Sequence, residues 1–75
     1  MSLSEMIAET SIDGCTVEMW DHEGTITCHI EKSRCRSSLG VAEDLGILEG
    51  DDGAVHEIDT RTCERVRQWA ERHGY

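Results

Sequence analysis

The sequence contains no proline and no phenylalanine, and aromatic residues make up only 4% of its 75 positions. The absence of proline excludes a proline-rich linker, and so short a chain leaves room for one domain, which we expect to span residues 1–75. A chain of this size buries only about 60–65% of the surface that it exposes when unfolded. We therefore expect a small core and modest stability.

Long apolar runs are also missing. No stretch approaches the roughly 20 apolar residues that a membrane-spanning helix needs. The first residues lack the basic segment and apolar run of a secretory signal. The sequence therefore predicts a cytoplasmic protein that has no membrane partner.

Positive charge is scarce and unevenly distributed. Sixteen acidic residues against seven lysines and arginines give a net charge of −9, and residues 1–31 and 37–59 contain no lysine or arginine at all. A field of this sign repels phosphate, so we expect no direct binding to nucleic acid. It attracts a basic protein surface.

Alternating apolar and polar residues predict a first hairpin. Its strands are Cys15–Trp20 and Thr25–Ile30, joined by a type I turn at residues 21–24. A second hairpin is predicted around residues 50–53 from the same kind of signal. Residues 32–38 are polar and basic, which favours a loop or a strand end.

The register of the first hairpin stays open at this point. Matching the apolar faces of the two strands would place Met19 opposite Ile26. The three-residue loop suggested by Gly24 would instead place Trp20 opposite Ile26. Because a slip of one residue exchanges the two faces, the sequence does not decide whether Trp20 is buried.

Two helices are predicted in the second half of the chain. Ser37-Ser38 supplies a cap, Leu39, Ala42 and Leu45 recur at helical spacing, and Gly46 ends this first helix. The second runs from residue 61 to residue 73 after a cap at residue 59 or 60. Its apolar stripe is Cys63, Val66, Trp69, Ala70 and His73.

A further short helix over Leu3–Glu9 is predicted from Ser2 and Glu5, which have the S-x-x-E spacing of a capping box. The complete prediction is an α+β fold of order (α)ββαββα. It consists of a small antiparallel sheet of two β-hairpins with helices packed on one face, and its C-terminal helix has the strongest pattern.

Four cysteines and four histidines raise the question of a metal site. Cys15, Cys28, Cys35 and Cys63 lack the close pairing that structural zinc sites use, because one tight turn normally supplies two ligands. We expect reduced, mostly buried thiols and no cofactor. A zinc-stabilised small domain that uses cysteine and histidine ligands remains the alternative, and a redox-active thiol at Cys35, between Arg34 and Arg36, would require an exposed cysteine.

No sequence signature selects a catalytic site, so we expect a protein that is not an enzyme. The charge distribution instead predicts a protein–protein interaction module whose acidic surface docks on a basic partner, such as a nucleic-acid-binding protein. Phage inhibitors of restriction or CRISPR systems often mimic the charge of nucleic acid in this way, which suggests a viral inhibitor. The predicted partner-binding residues are Glu43, Asp44, Glu49, Asp51 and Asp52, with Trp20 as an aromatic anchor.

Overall fold

A computed structural model describes residues 3–75 as a six-stranded antiparallel sheet with two helices. The strands are β1 (Ser4–Ile12), β2 (Cys15–His22), β3 (Thr25–Lys32), β4 (Cys35–Ser38), β5 (Ile47–Gly50) and β6 (Val55–Glu57), and the helices are α1 (Leu39–Leu45) and α2 (Thr60–Arg72). The strands lie side by side in chain order. The α+β class and the antiparallel sheet are therefore confirmed, but four strands precede the first helix, so the order (α)ββαββα is wrong.

The N-terminal segment is a strand rather than the predicted helix over Leu3–Glu9. Ser4–Ile12 pairs antiparallel with β2 along almost its whole length, with a bulge between Met6 and Ala8. A helix of two turns has no such partner and is marginal by itself, whereas the ladder with β2 provides hydrogen bonds along the inner edge of β1. Ser2, the predicted cap, lies outside the described residues.

The hairpin of β2 and β3 has neither of the two predicted registers. Asp21 lies opposite Ile26, and Met19 lies opposite Cys28. The loop is the two-residue pair Glu23-Gly24, with φ values of 56° and 98°, and not a type I turn. Two positive φ values match the twist of a tight hairpin. The apolar faces of β2 and β3 still coincide.

Residues 35–38 form the strand β4. Cys35 and Ser37 point into the core, while Arg36 and Ser38 alternate with them on the other side. The hydroxyl of Ser37 accepts a hydrogen bond of 3.0 Å from the backbone N–H of Glu49, which satisfies a polar group in this buried position. Because the inward residues of β4 are small or polar, its sequence lacks the alternation of apolar and polar residues that usually marks a strand.

Both helices of the second half are confirmed. The Ser38 hydroxyl caps α1 by accepting from the N–H of Val41 at 3.2 Å, and Gly46 ends the helix with φ of 67°. Asp59 caps α2 by accepting from the N–H of Thr62 at 2.7 Å. No helix within residues 3–75 is long and apolar enough to cross a membrane.

The core lies between the two helices and one face of the sheet. Trp69 of α2 is its one large aromatic side chain among the described residues. Leu45, which was predicted to face inward from α1, is 61% exposed, and His73 is exposed at the end of α2. The buried set is Ile12, Cys15, Val17, Met19, Cys28, Ile30, Cys35, Leu39, Ala42, Leu48, Cys63, Val66, Trp69 and Ala70.

The cap of α2 predicts a dependence of stability on pH. The hydrogen bond from the backbone N–H of Thr62 holds the pKa of Asp59 below its usual value. The carboxylate therefore stabilises the fold above its unfolded pKa of about 4, and this contribution is lost as the pH falls towards the folded pKa. Asn is an equally good cap but does not titrate, so Asp59→Asn should show a smaller loss of stability between pH 5 and pH 3. Urea unfolding at both pH values measures this, and equal losses in the two proteins would contradict it.

Candidate functional site

The sheet has one face that neither helix covers, which we call the open face. Because α1 and α2 both pack on the opposite side, residues that alternate with core residues along each strand project from this surface. Its described members include Met6, Glu9, Thr16, Glu18, Trp20, His22, Thr27, His29, Glu31, Arg36, Ser38, Glu49, Val55 and Glu57. It is the most extensive surface of the fold that lacks a covering layer.

The open face is strongly acidic. Five of the six strands place one glutamate on it, and β4 places Arg36, which is its one arginine or lysine within residues 3–75. The glutamates are Glu9, Glu18, Glu31, Glu49 and Glu57. Apart from Glu49, sequence reasoning missed them, although the alternation of Glu18 with Val17 and Met19 was a usable signal.

Arg36 neutralises only part of this charge. It stands between Glu31 and Glu49 on the neighbouring strands, and its Nη2 lies 3.5 Å from Oε1 of Glu18. Glu9 lies directly opposite Glu18 on the neighbouring strand β1, on the other side of Glu18 from Arg36. Two like charges in that position repel each other. A cation bound beside them, on the part of the open face formed by β1 and β2, would relieve this repulsion.

A half-buried aromatic and histidine cluster lies beside the glutamates. The Trp20 ring stacks on His22 with centroids 6.3 Å apart, and its Nε1 donates to Oε1 of Glu18 at 3.3 Å. The Thr27 hydroxyl lies 3.1 Å from Nε2 of His22 and 3.2 Å from Nε2 of His29. Partial burial, helped by the nearby Arg36 charge, lowers the pKa of His29, so this histidine is neutral at pH 7.

The predicted partner-binding residues are divided between two sides of the molecule. Trp20 and Glu49 lie on the open face, and Asp51 and Asp52 are exposed in the 3₁₀ turn that directly follows the strand of Glu49. Glu43 and Asp44 belong to α1, which packs on the other side of the sheet. Whether any of these six residues contacts a partner stays a prediction.

Glu43 already has a strong partner within the chain. Its two carboxylate oxygens accept from Nε and Nη2 of Arg67 at 2.5 Å and 2.7 Å. These hydrogen bonds hold the pKa of Glu43 below its usual value and raise the pKa of Arg67. A bidentate pair of this kind ties α1 to α2, and it leaves less free charge at Glu43 for a partner.

The four cysteines are free thiols in the core. Burial raises the pKa of Cys28 to about 11 and also raises the pKa values of Cys15 and Cys63, so these thiols are protonated at pH 7. Cys35 is only 3% exposed and does not meet the requirement for a reactive exposed thiol. No three histidine, cysteine, aspartate or glutamate side chains in the described part of the chain are placed to hold a metal ion.

The open face therefore combines an uncovered sheet surface, carboxylates that Arg36 compensates only in part, and a half-buried indole. Trp20 contributes apolar area, and its neighbours Glu18 and Glu9 contribute negative charge. Such a combination suits the recognition of basic groups on another macromolecule. Comparison with protein-family models, with curated proteins and with solved structures found no match to this chain.

Proposed function

We propose that this protein is a small acidic interaction module that docks on a basic protein surface. Its partner would be a nucleic-acid-binding protein, and docking would inhibit that partner by occupying the surface that nucleic acid uses. The observation that carries the proposal is the open face, where five strands each present a glutamate and only Arg36 opposes them within residues 3–75. A phage-type inhibitor of restriction or CRISPR systems is the kind of protein that this function implies.

The spacing of the carboxylates supports mimicry of nucleic acid. Neighbouring strands of a sheet are about 4.8 Å apart, so the direct partners Glu9 and Glu18 place two charges about 5 Å apart. Glu31 and Glu49 lie on either side of Arg36, two strands or about 10 Å apart. Along one strand of DNA a phosphate occurs about every 3.4 Å. The carboxylates are more widely spaced than the phosphates, but several lysines or arginines placed to bind phosphates would meet carboxylates instead.

The size of the open face also supports docking. The molecule measures 31 × 27 × 20 Å along its principal axes, and the shortest axis of a sheet with one helical layer lies across the two layers. A face bounded by the two longer dimensions has about the area, roughly 800 Å² per partner, of a standard protein–protein interface. The open face can therefore provide a complete binding surface without help from the helices.

The function is tested by using the protein to capture partners from a cell lysate at graded salt concentrations. The wild type is compared with three variants in which acidic residues are replaced by their neutral amides. The open-face variant is Glu9→Gln and Glu18→Gln, the turn variant is Asp51→Asn and Asp52→Asn, and the helix-side control is Glu64→Gln and Glu71→Gln. We expect the wild type and the helix-side control to retain the same basic proteins, which double-stranded DNA displaces. The open-face variant should release them at lower salt, because removing interfacial charges reduces the electrostatic attraction.

Unfolding curves of all the variants accompany this experiment. The open-face variant relieves the repulsion between Glu9 and Glu18 but loses the exposed ion pair of Glu18 with Arg36, so its stability should be close to that of the wild type. The unfolding curves then show whether a loss of capture can be assigned to unfolding. Retention of the same proteins by the open-face variant at unchanged salt would refute the proposed site. The function itself would be refuted if the retained proteins were acidic, or if neither salt nor DNA released them.

A further inference from the structure

β1 forms the longer of the two outer edges of the described sheet. β1 contains nine residues and ends the sheet on one side, while the three-residue β6 ends it on the other. No further strand within residues 3–75 lies beside β1, so the outward N–H and C=O groups from Ala8 to Ile12 form a template for another strand. The edge of β6 is too short for a comparable ladder.

Exposed apolar side chains are concentrated at this edge. Leu3, Met6 and Ile7 are 67%, 46% and 44% exposed, and they fall within five consecutive positions. Natural edge strands are usually protected by lysine, proline, bulges or covering elements. β1 has a bulge at Ile7 but neither lysine nor proline, and its residues from Ala8 to Ile12 pair with β2 in unbroken register. That part of the edge is regular enough to accept a partner strand.

Charge determines what kind of strand fits. Glu5 and Glu9 are exposed on β1, and Glu18 faces Glu9 from β2. A second copy of this chain would bring the same glutamates against one another, and each copy carries a net charge of −9. A strand with lysine or arginine at alternate positions would relieve the repulsion between Glu9 and Glu18. Charge complementarity therefore favours a basic partner strand over self-association.

We propose that the edge of β1 binds a basic β-strand of the partner protein, which becomes the seventh strand of the sheet. The backbone from Ala8 to Ile12 provides the ladder, Met6 and Ile7 contact apolar side chains of the added strand, and Glu9 pairs with one of its cations. This inference rests on the proposed function, since it specifies how the basic partner would be held. The lysine or arginine side chains of the added strand would reach the open face beside Trp20, which lies on the strand next to β1.

The test uses a defined probe, a nine-residue peptide of alternating valine and lysine, with a valine–glutamate peptide as its charge-reversed control. Hydrogen exchange of the ¹⁵N-labelled full-length protein is followed by NMR at low salt. With saturating basic peptide, we expect alternate β1 amides to exchange at least tenfold more slowly, because strand addition gives them hydrogen-bond acceptors. Amides of α2 should be unchanged, and the acidic peptide should bind at least tenfold more weakly.

Two variants localise the effect. Glu9→Lys should weaken the basic peptide at least tenfold, whereas Glu64→Lys, an equal change of charge on an exposed position of α2, should weaken it much less. Binding of the peptide without protection of β1 would overturn the seventh strand and leave the proposed function standing. Failure of the basic peptide to bind at low salt would overturn the seventh strand, whereas failure of the lysate capture to retain basic proteins would overturn the proposed function. Protection of β1 that grows with protein concentration in the absence of peptide would show that a second copy is the occupant, which also overturns the proposal.

Discussion

Replacing Trp69 by alanine should lower the free energy of unfolding by about 3–5 kcal/mol, the usual cost of truncating a buried aromatic side chain. Trp69 is 8% exposed, and the described core around it is otherwise built from aliphatic residues, methionine, alanine and cysteine. The sequence has no phenylalanine that could fill the resulting cavity. A domain of 75 residues has a total stability of only roughly 4–11 kcal/mol, so we expect a large unfolded population.

Urea unfolding followed by circular dichroism measures this loss. Trp69→Phe serves as the matched control, because it keeps an aromatic ring in the core and should retain most of the stability. The indole of Trp69 also contacts the ring of His73 at a centroid distance of 4.8 Å, and His73→Ala separates that surface contact from core packing. A loss below about 1 kcal/mol in Trp69→Ala would contradict the placement of α2 over the sheet.

Where local signals agree with burial, the sequence was sufficient to predict the fold. The stripe of α2 and its Asp59 cap point to the same element, and the helix follows both. In α1, Ser38 and Gly46 mark the two ends in the same way. These features depend on hydrogen bonds and side-chain spacing within a few residues of the chain.

Where pairing partners decide the structure, local signals failed. Leu3, Met6 and Ile7 have a helical spacing, yet the ladder with β2 makes their segment a strand. Cys35 and Ser37 alternate inward along β4 without the apolar character that marks an ordinary core strand. Both strands gain their stability from neighbours that are distant in the sequence, which a local pattern does not contain.

The candidate site could not be predicted without knowing the register of β2 and β3. The observed pairing of Asp21 with Ile26 places Trp20 on the side away from the helices, as the pairing of Met19 with Ile26 would also have done. The other predicted register, Trp20 opposite Ile26, would have turned Trp20 and Glu18 towards the core. The acidic residues chosen from the sequence were those in conspicuous runs, such as Asp51 and Asp52. Single glutamates on separate strands come together on one face only when the sheet forms, so a local sequence pattern does not reveal them.

Replacing Trp20 by alanine should weaken binding to the basic partner by at least 2 kcal/mol, or about 30-fold in Kd, while leaving the fold intact. Tryptophan is the side chain most often responsible for such losses at interfaces, and Trp20 lies half-buried on the open face beside Glu18 and outside the core cluster. Its indole offers a surface on which a lysine or arginine of the partner can lie, with the Glu18 carboxylate beside that cation.

Titration calorimetry with a partner captured at low salt measures the loss, and Trp20→Phe is the matched control, since it keeps a ring that binds a cation but has no N–H for Glu18. We expect Trp20→Phe to retain most of the affinity and to keep the same dependence on salt. Trp20→Ala should keep that salt dependence too, because the glutamates and their charges remain. An unchanged Kd in Trp20→Ala would move the binding surface away from the aromatic half of the open face, and the turn at Asp51 and Asp52 would then be the next acidic surface to test.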